Sequence, residues 1–177
     1  MPYETIKSEL AYKGLIIDVT KDTITLPDGR QAVREVVRHG GAAAVVAVDG
    51  DGRLVFVRQY RHPARALVLE IPAGTLEPGE EPLACATREL AEETGMRAEK
   101  VTFLFKLYTT IGFCSEVIHI YLAEGLTEGS QCLDADEFVT VERYTPAEAA
   151  ELIKNGGIVD GKTIAAVMVY LNGNFSA

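Results

Sequence analysis

The chain has 177 residues, of which 47% are hydrophobic, enough apolar material for one compact domain with a core. The formal net charge is -9, from 26 acidic and 17 basic residues. This balance argues against a general nucleic-acid surface, because such a surface needs a basic stripe that replaces phosphate counterions. A phosphate-bearing substrate would require divalent cations or a local cluster of basic residues to offset the repulsion.

The cysteines and the apolar segments indicate the cellular compartment of the protein. Cys85, Cys114 and Cys132 form no CxxC pair, and an odd number of cysteines fits free thiols in a reducing compartment. The first residues are mixed and polar rather than a signal peptide. No apolar run reaches the roughly 18 residues that a membrane-spanning helix requires. We therefore expect a cytoplasmic protein without a membrane partner or a nucleic-acid partner.

Residues 1–40 are predicted to form a small unit of antiparallel strands. Residues 15–39 alternate apolar and polar side chains around Asp28-Gly29, a dipeptide typical of tight hairpin turns. Residues 41–177 are predicted to form the second domain. Its first segment, Ala42–Val48, is continuously apolar, as expected for a central strand that is buried on both faces.

Three helices are predicted in the second domain. The first is Pro82–Thr94, with proline in its first turn and Gly95 as its C-cap. The second begins with the capping box of Thr145 and Glu148 and ends at Asn155-Gly156. The third covers residues 161–171.

Further strands are predicted between these helices, at residues 54–61, 67–71, 101–108, 116–122 and 138–144. Pro72-Ala73-Gly74 is predicted to end the short strand at 67–71. Few strands are joined by full crossover helices. This favours an α/β fold of the α+β type, a mixed sheet with helices on both faces, over a regular doubly wound sheet.

Glu89, Glu92 and Glu93 lie within five residues of the first helix, so their side chains share one face. A solvated charged surface is the simplest explanation for such an acidic run. The preceding loop favours a metal site instead, because Gly74 and Gly79 permit special backbone conformations ahead of the carboxylates. Carboxylate oxygens suit Mg²⁺ or Mn²⁺.

The spacing within residues 74–96, which we call the box, identifies a family. Gly74, Glu80 and the run Arg88-Glu89-Leu90-Ala91-Glu92-Glu93-Thr94-Gly95-Met96 resemble the full signature of the Nudix hydrolases, with every fixed position filled. The resemblance implies an α/β/α sandwich, preceded here by a small N-terminal antiparallel β unit. It also implies that the box is a loop–helix–loop that binds divalent metal and positions a diphosphate.

The resemblance also implies roles for individual residues. The metal-ligand candidates are the carbonyl of Ala73 and the carboxylates of Glu89, Glu92 and Glu93. Among these, Glu89 and Glu93 form the leading pair because they are one helical turn apart. The resemblance also implies catalytic roles for Glu92, Glu93 and Arg88. Arg88 is also expected to pair with Glu80 and so to brace the loop.

The flanks of the box are similar to the ADP-ribose pyrophosphatase branch of that family. The similar stretches are VRQYRHPARALVLEIPAGTLEPGE and GGIVDGKTIAAVMVYL. This resemblance implies hydrolysis of ADP-ribose to AMP and ribose 5-phosphate. It also implies a homodimer in which the N-terminal strands pack on the partner subunit.

A residue that orients or deprotonates the attacking water is expected in the acidic stretch LDADEFVTVE. Asp134, Asp136 and Glu137 are the candidates, although a polar surface loop would explain each of them equally well. In this branch a loop glutamate acts as metal ligand or base, and Glu137 matches it best.

Substrate contacts are predicted on both sides of the box. Arg58 and Arg61 carry forked donors that suit phosphate and ribose oxygens, and Glu70 is a candidate partner of adenine or ribose. Gly74, Gly112 and Glu116 match positions of the branch. Ile111 stands where the branch commonly has proline, which leaves room for another nucleoside diphosphate sugar as substrate.

Three other functions remain open at this stage. One is a nucleoside triphosphate pyrophosphohydrolase, although the RQYR and PAGTLEPGE flanks count against it. Another is a non-catalytic Nudix module that senses ADP-ribose, although such modules usually have an eroded box. The last is a structural protein with a solvated acidic helix.

Overall fold

The computed structural model describes residues 3–133, 135 and 137–173. The chain divides into two compact units. The first contains the described residues through Gly41 together with Tyr108–Val117, and the second contains Ala42–Leu107 and the described residues from Ile118 onward. In the described part of the chain, no helix is long and apolar enough to cross a membrane.

The first unit contains a three-stranded antiparallel sheet. Its strands are β1 (Glu4–Lys13), β2 (Ile17–Thr25) and β3 (Gln31–His39), in the order β1-β2-β3. The predicted hairpin joins β2 to β3, and Gly29 adopts a φ of 84° in its turn. Every residue of β1 is exposed. The expectation of a small N-terminal antiparallel sheet is therefore confirmed.

The second unit is built on a mixed sheet. Its strands are β4 (Ala42–Val48), β5 (Leu54–Arg61), β6 (Ala66–Glu70), β7 (Ala73–Thr75), β8 (Arg97–Tyr108), β9 (Val117–Thr127) and β10 (Val139–Tyr144). The order is β10-β5-β4-β9-β8, while β6 pairs with β5 and β7 pairs with β4. Strands β4 and β9 are parallel, whereas β4 pairs antiparallel with β5 and with β7. The predicted mixed sheet is confirmed.

Helices cover both faces of this sheet. They are α1 (Pro82–Thr94), α2 (Pro146–Lys154) and α3 (Gly161–Asn172). Alternate residues of β4 point to opposite faces. Ala42, Ala44 and Val46 share a core with Ala149 of α2 and Ala166 of α3. Ala43, Val45 and Ala47 share the other core with Ala86 and Leu90 of α1. The predicted α/β/α arrangement is therefore present, with β4 buried on both faces.

The structure differs from the sequence-based expectations at a few strand boundaries. The Pro72-Ala73-Gly74 segment, expected only as a break, leads into the short strand β7, which pairs with β4. Strand β8 begins at Arg97 rather than at residue 101. Both differences arise because strand pairing depends on a partner that is distant in the sequence, which local patterns do not report.

Candidate active site

The segment before α1 is positioned by strand pairing. Ala73, Gly74 and Thr75 pair with the central strand β4. Helix α1 follows the loop and buries Cys85, Ala86 and Leu90 against the same strand. The Ala73–Thr75 backbone and the carboxylates of α1 consequently meet on one side of the sheet.

Glu93 is the most buried carboxylate of the box, with only 3% of its surface exposed. One of its oxygens, Oε2, accepts a hydrogen bond of 2.9 Å from the backbone N–H of Ala73. Burial raises the pKa of Glu93 to about 8, and the neighbouring charges of Glu89 and Glu137 act in the same direction. A carboxylate in this setting is stabilised by any cation that comes close to it.

Glu89 lies against Gly74. A Cβ atom on residue 74 would stand 1.8 Å from Glu89 Oε1, so only glycine leaves room for this carboxylate. The side chain of Glu89 is 13% exposed, and burial raises its pKa. The absence of a side chain at Gly74 therefore creates the space that the Glu89 carboxylate fills.

Arg88 connects the loop to the helix. Its Nε donates to Glu80 Oε1 at 3.0 Å, and its Nη1 donates to Glu89 Oε1 at 2.7 Å and to Glu92 Oε2 at 2.9 Å. The hydrogen bond from Arg88, assisted by the Glu77 backbone N–H, lowers the pKa of Glu80 to about 2. The Arg88–Glu80 pair that the sequence predicts is present, and Arg88 also partly neutralises the acidic cluster.

The box suits a divalent cation whose remaining ligands are not side chains of the box. Among the described residues, no three Asp, Glu, His or Cys side chains stand close enough to enclose an ion. Arg88 contacts both Glu89 and Glu92, while Glu93 is buried, Glu89 is half-buried, and burial raises the pKa of each of these two carboxylates. Two carboxylates, completed by a backbone carbonyl, water and substrate phosphates, are a common Mg²⁺ environment.

Glu137 is close enough to the box to interact with it electrostatically. Its charge contributes to the raised pKa values of both Glu89 and Glu93. The other two candidates for the base, Asp134 and Asp136, lie outside the described residues.

Arg61 and Glu70 form part of a buried ionic cluster. Arg61 Nε donates to Glu70 Oε1 at 2.8 Å, and Arg61 Nη2 donates to Glu70 Oε2 at 3.0 Å. Lys162, at the start of α3, also contacts Glu70 Oε2. Burial alone would raise the pKa of Glu70, but these two cations outweigh it and hold the pKa below its ordinary value.

Arg58 lies on the opposite face of β5 from Arg61, because side chains three residues apart on a strand point in opposite directions. Its Nη2 donates to Glu142 Oε2 at 3.0 Å, and Glu142 also accepts from the hydroxyl of Tyr144. The structure thus joins Arg58 to β10 and joins Arg61 to Glu70.

Gly112 and Glu116 belong to the first unit. The Glu116 carboxylate lies 3.5 Å from His39 Nδ1, and its backbone oxygen accepts from Thr109. A Cβ at Gly112 would meet open space, and the neighbouring Ile111 is 79% exposed. Neither the glycine nor the isoleucine is therefore required for packing within that unit.

Comparison with known proteins identifies the family. The NUDIX domain model matches residues 38–167. The chain belongs to the Nudix family. As a Nudix hydrolase it is an enzyme, and its family uses divalent cations. Residues 3–37 match a second model, described as the nucleoside diphosphate sugar hydrolase N-terminal domain.

Two curated relatives and one solved structure illustrate the similarity of this Nudix hydrolase to known proteins. The methanol dehydrogenase activator of Bacillus methanolicus is 44% identical over 166 residues, and the ADP-ribose pyrophosphatase of Bacillus subtilis (strain 168) is 43% identical over 166 residues. Each alignment covers 93% of this chain and 90% of the relative. A crystal structure of an ADP compounds hydrolase has the same fold, with a TM-score of 0.83 at 23% identity, covering 96% of this chain and 92% of that chain.

Lys162 is a residue of this Nudix hydrolase that sequence reasoning did not single out. It lies in the stretch GGIVDGKT, beside the N-cap of α3. Asp160 accepts from the backbone N–H of Thr163 at 3.0 Å, a cap that the Asp-x-x-Thr spacing itself indicates. The cap was a usable signal for the helix start, but the contact with Glu70 depends on the tertiary structure.

Proposed function

We propose that this Nudix hydrolase cleaves the diphosphate of ADP-ribose to AMP and ribose 5-phosphate, or acts on a closely related nucleoside diphosphate sugar. The main support is the combination of a complete box with an N-terminal segment of the nucleoside diphosphate sugar hydrolase type. The similarity to a named ADP-ribose pyrophosphatase at 43% identity favours ADP-ribose within that class. The proposed cation is Mg²⁺, with Mn²⁺ as a substitute.

The proposed metal ligands are Glu89 and Glu93, with Glu92 and the Ala73 carbonyl as further ligands. Divalent cations, when bound, neutralise charge on the phosphoryl oxygens and lower the pKa of a bound water. Buried carboxylates suit this role because the same burial that raises their pKa values strengthens their attraction to a cation.

The remaining steps are assigned to side chains of the chain itself. The Glu137 carboxylate orients the attacking water and accepts its proton. Arg61 directs its charge towards the phosphate or ribose oxygens of the substrate, and Gly74 leaves space for Glu89. Arg88 and Glu80 hold the loop against α1, so that the carboxylates keep their positions when the substrate enters. Arg58, Gly112 and Glu116 remain proposed substrate contacts.

One assay tests the proposed function. The protein is incubated with ADP-ribose, ADP-glucose or dGTP, with Mg²⁺ or with EDTA, and the products are resolved by chromatography. We expect AMP from ADP-ribose in the presence of Mg²⁺ and no product in EDTA. Faster cleavage of dGTP would favour a triphosphate pyrophosphohydrolase. Tight calorimetric binding of ADP-ribose without any product would favour a sensing module.

The proposal includes a cytoplasmic homodimer formed through the N-terminal sheet. Strand β1 is an edge strand, and its apolar side chains Ile6, Leu10 and Tyr12 are exposed. A row of exposed apolar side chains on an open sheet edge is a surface that another chain can cover.

A further inference from the structure

The start of α3 is attached to the end of β6 by two contacts. Lys162 Nζ contacts Glu70 Oε2, and it also lies 3.0 Å from Asp160 Oδ2. The hydroxyl oxygen of Thr163 accepts a hydrogen bond of 3.0 Å from the backbone N–H of Ile71. Two consecutive residues, Glu70 and Ile71, are therefore held by α3 immediately before the box begins.

The lysine is unusually enclosed for a cation. Its side chain is 12% exposed and that of Glu70 is 4% exposed. Burying charged groups costs several kcal/mol per ion unless other charges compensate for the lost water. Glu70 already has a bidentate partner in Arg61, so a second cation is not needed to neutralise it. Lys162 is shared between Glu70 and Asp160, and its contact with Glu70 goes beyond what the neutralisation of Glu70 requires.

Lys162 changes how much of the positive charge of Arg61 is neutralised by neighbouring carboxylates. Without the lysine, the carboxylates of Glu70 and Asp160 would both act on the single positive charge of Arg61. With the lysine, two cations face these two carboxylates, and Arg61 keeps part of its positive charge for other partners. Arg61 is partly exposed and is hydrogen-bonded to Glu70, three residues before Ala73, whose backbone N–H donates to Glu93. Arg61 therefore lies beside the acidic box.

We propose that Lys162 is a positioning residue, which acts through Glu70 to fix the orientation of the Arg61 guanidinium and to leave its charge available to the substrate diphosphate. This inference rests on the proposed function, in which Arg61 contacts the substrate. The lysine itself touches Glu70 and Asp160 rather than the substrate.

Steady-state kinetics with ADP-ribose and Mg²⁺ test the proposal. Lys162→Met removes the charge, Lys162→Arg keeps it, and Lys154→Met changes an exposed lysine of α2 as the matched control. We expect Lys162→Met to raise KM about tenfold while kcat stays within about threefold, because a positioned binding residue is lost rather than a reacting group. Lys162→Arg should recover most of the loss, and Lys154→Met should behave like the wild type.

A double-mutant cycle shows whether the effect passes through Arg61. In an Arg61→Lys background, Lys162→Met should change kcat/KM by less than about twofold, since the partner that it orients is already altered. An unchanged KM in Lys162→Met, or the same loss of kcat/KM in both backgrounds, would overturn the proposal.

A measurement without substrate separates this inference from the proposed function. The solvent exchange of the Arg61 Nε–H is followed by ¹⁵N NMR, with Arg61→Lys used to assign the signal. We expect faster exchange in Lys162→Met than in Lys154→Met, because the Glu70 carboxylate that accepts this proton is less fixed. If the wild type cleaves no diphosphate, the proposed function fails and this comparison alone decides the role of Lys162. Equal exchange rates of the Arg61 Nε–H in Lys162→Met and Lys154→Met would overturn the positioning role of Lys162.

Discussion

At the residue scale, the most distinctive group of the box is a carboxylate that is almost completely buried, Glu93. Glu93 accepts a hydrogen bond from the backbone N–H of Ala73, but its burial outweighs this bond and raises its pKa to about 8. Carboxylates with strongly perturbed pKa values cluster at functional sites, and this supports the proposal that Glu93 is a metal ligand. The residue scale therefore gives the sharpest predictions.

Replacing Glu93 by glutamine tests its catalytic role. Glu93→Gln keeps the shape and an acceptor for the Ala73 N–H, but it removes the negative charge. We expect kcat to fall by about two to four orders of magnitude, as when an essential electrostatic group is lost, with the circular dichroism spectrum unchanged. Glu151→Gln, on the exposed face of α2, is the control. Equal turnover in both variants would remove Glu93 from the site.

The same carboxylate makes stability depend on pH. The pKa of Glu93 is raised in the folded state from 4.5 to about 8. Below the lower value, folded and unfolded states are both protonated; as the pH rises through this window, only the unfolded state releases the proton, so the folded state loses stability. In EDTA, urea denaturation should show the wild type losing stability relative to Glu93→Gln between about pH 5 and about pH 8. Mg²⁺ should reverse that loss at the higher pH. A difference in the free energy of unfolding between wild type and Glu93→Gln that stays constant with pH would contradict this explanation.

Gly74 allows the geometry of the site to be changed without affecting the core. In Gly74→Ala the atoms nearest to the new methyl group would be the flexible end of Glu89, so that carboxylate must move. We expect kcat/KM to fall at least about tenfold, while the thermal unfolding temperature shifts by no more than a few degrees. Gly50→Ala, whose Cβ would meet nothing, serves as the control. Full activity in Gly74→Ala would show that Glu89 does not need its present position.

At the scale of elements, the helices are determined by their ends. Helix α1 ends where Gly95 adopts a left-handed conformation with a φ of 74°. Helix α2 begins at Thr145, whose side chain and that of Glu148 form the reciprocal capping box. Both ends were predicted from local sequence, because a cap involves only residues within one helical turn.

The cap of α2 can be tested separately from the chemistry. Thr145→Ala removes the side-chain acceptor for the Glu148 N–H and should lower the free energy of unfolding by about 1 kcal/mol. Hydrolysis of ADP-ribose should be unchanged, since α2 supplies none of the proposed site residues. A large loss of activity at full stability would place α2 in the site.

Strands and ion pairs were less predictable than helices. The sequence predicts a chain break where strand β7 lies, because the three residues of β7 carry no periodic pattern and depend on β4 for pairing. Helix α1 and the shared face of its carboxylates were predictable from the spacing within residues 74–96. The partner of Arg58, which is Glu142, lies 84 residues away, and no local signal reports such a contact.

At the scale of the whole molecule, the negative charge concerns how a diphosphate is accepted, and the exposed β1 strand concerns how two chains associate. Because the net charge is -9, divalent cations or local basic residues must offset the repulsion of a diphosphate substrate. The exposed β1 residues predict association of two chains. In light scattering after gel filtration, we expect a dimer for the wild type and a monomer for the Ile6→Asp/Leu10→Asp double variant, because buried aspartates oppose the contact. Lys21→Asp, at an exposed position of β2, is the charge control. A dimeric double variant would place the interface elsewhere.

The sequence by itself determined the family, the acidic helix and the class of reaction, because these depend on side chains whose spacing within one loop and one helix is fixed by covalent geometry. The tertiary structure decided how the charges are distributed. It buried Glu93, left the side chain of Glu89 only 13% exposed, and placed Lys162 on Glu70 from 92 residues away. Burial and long-range pairing are properties of the packed chain, because they depend on which surfaces exclude water after distant strands and helices have come together.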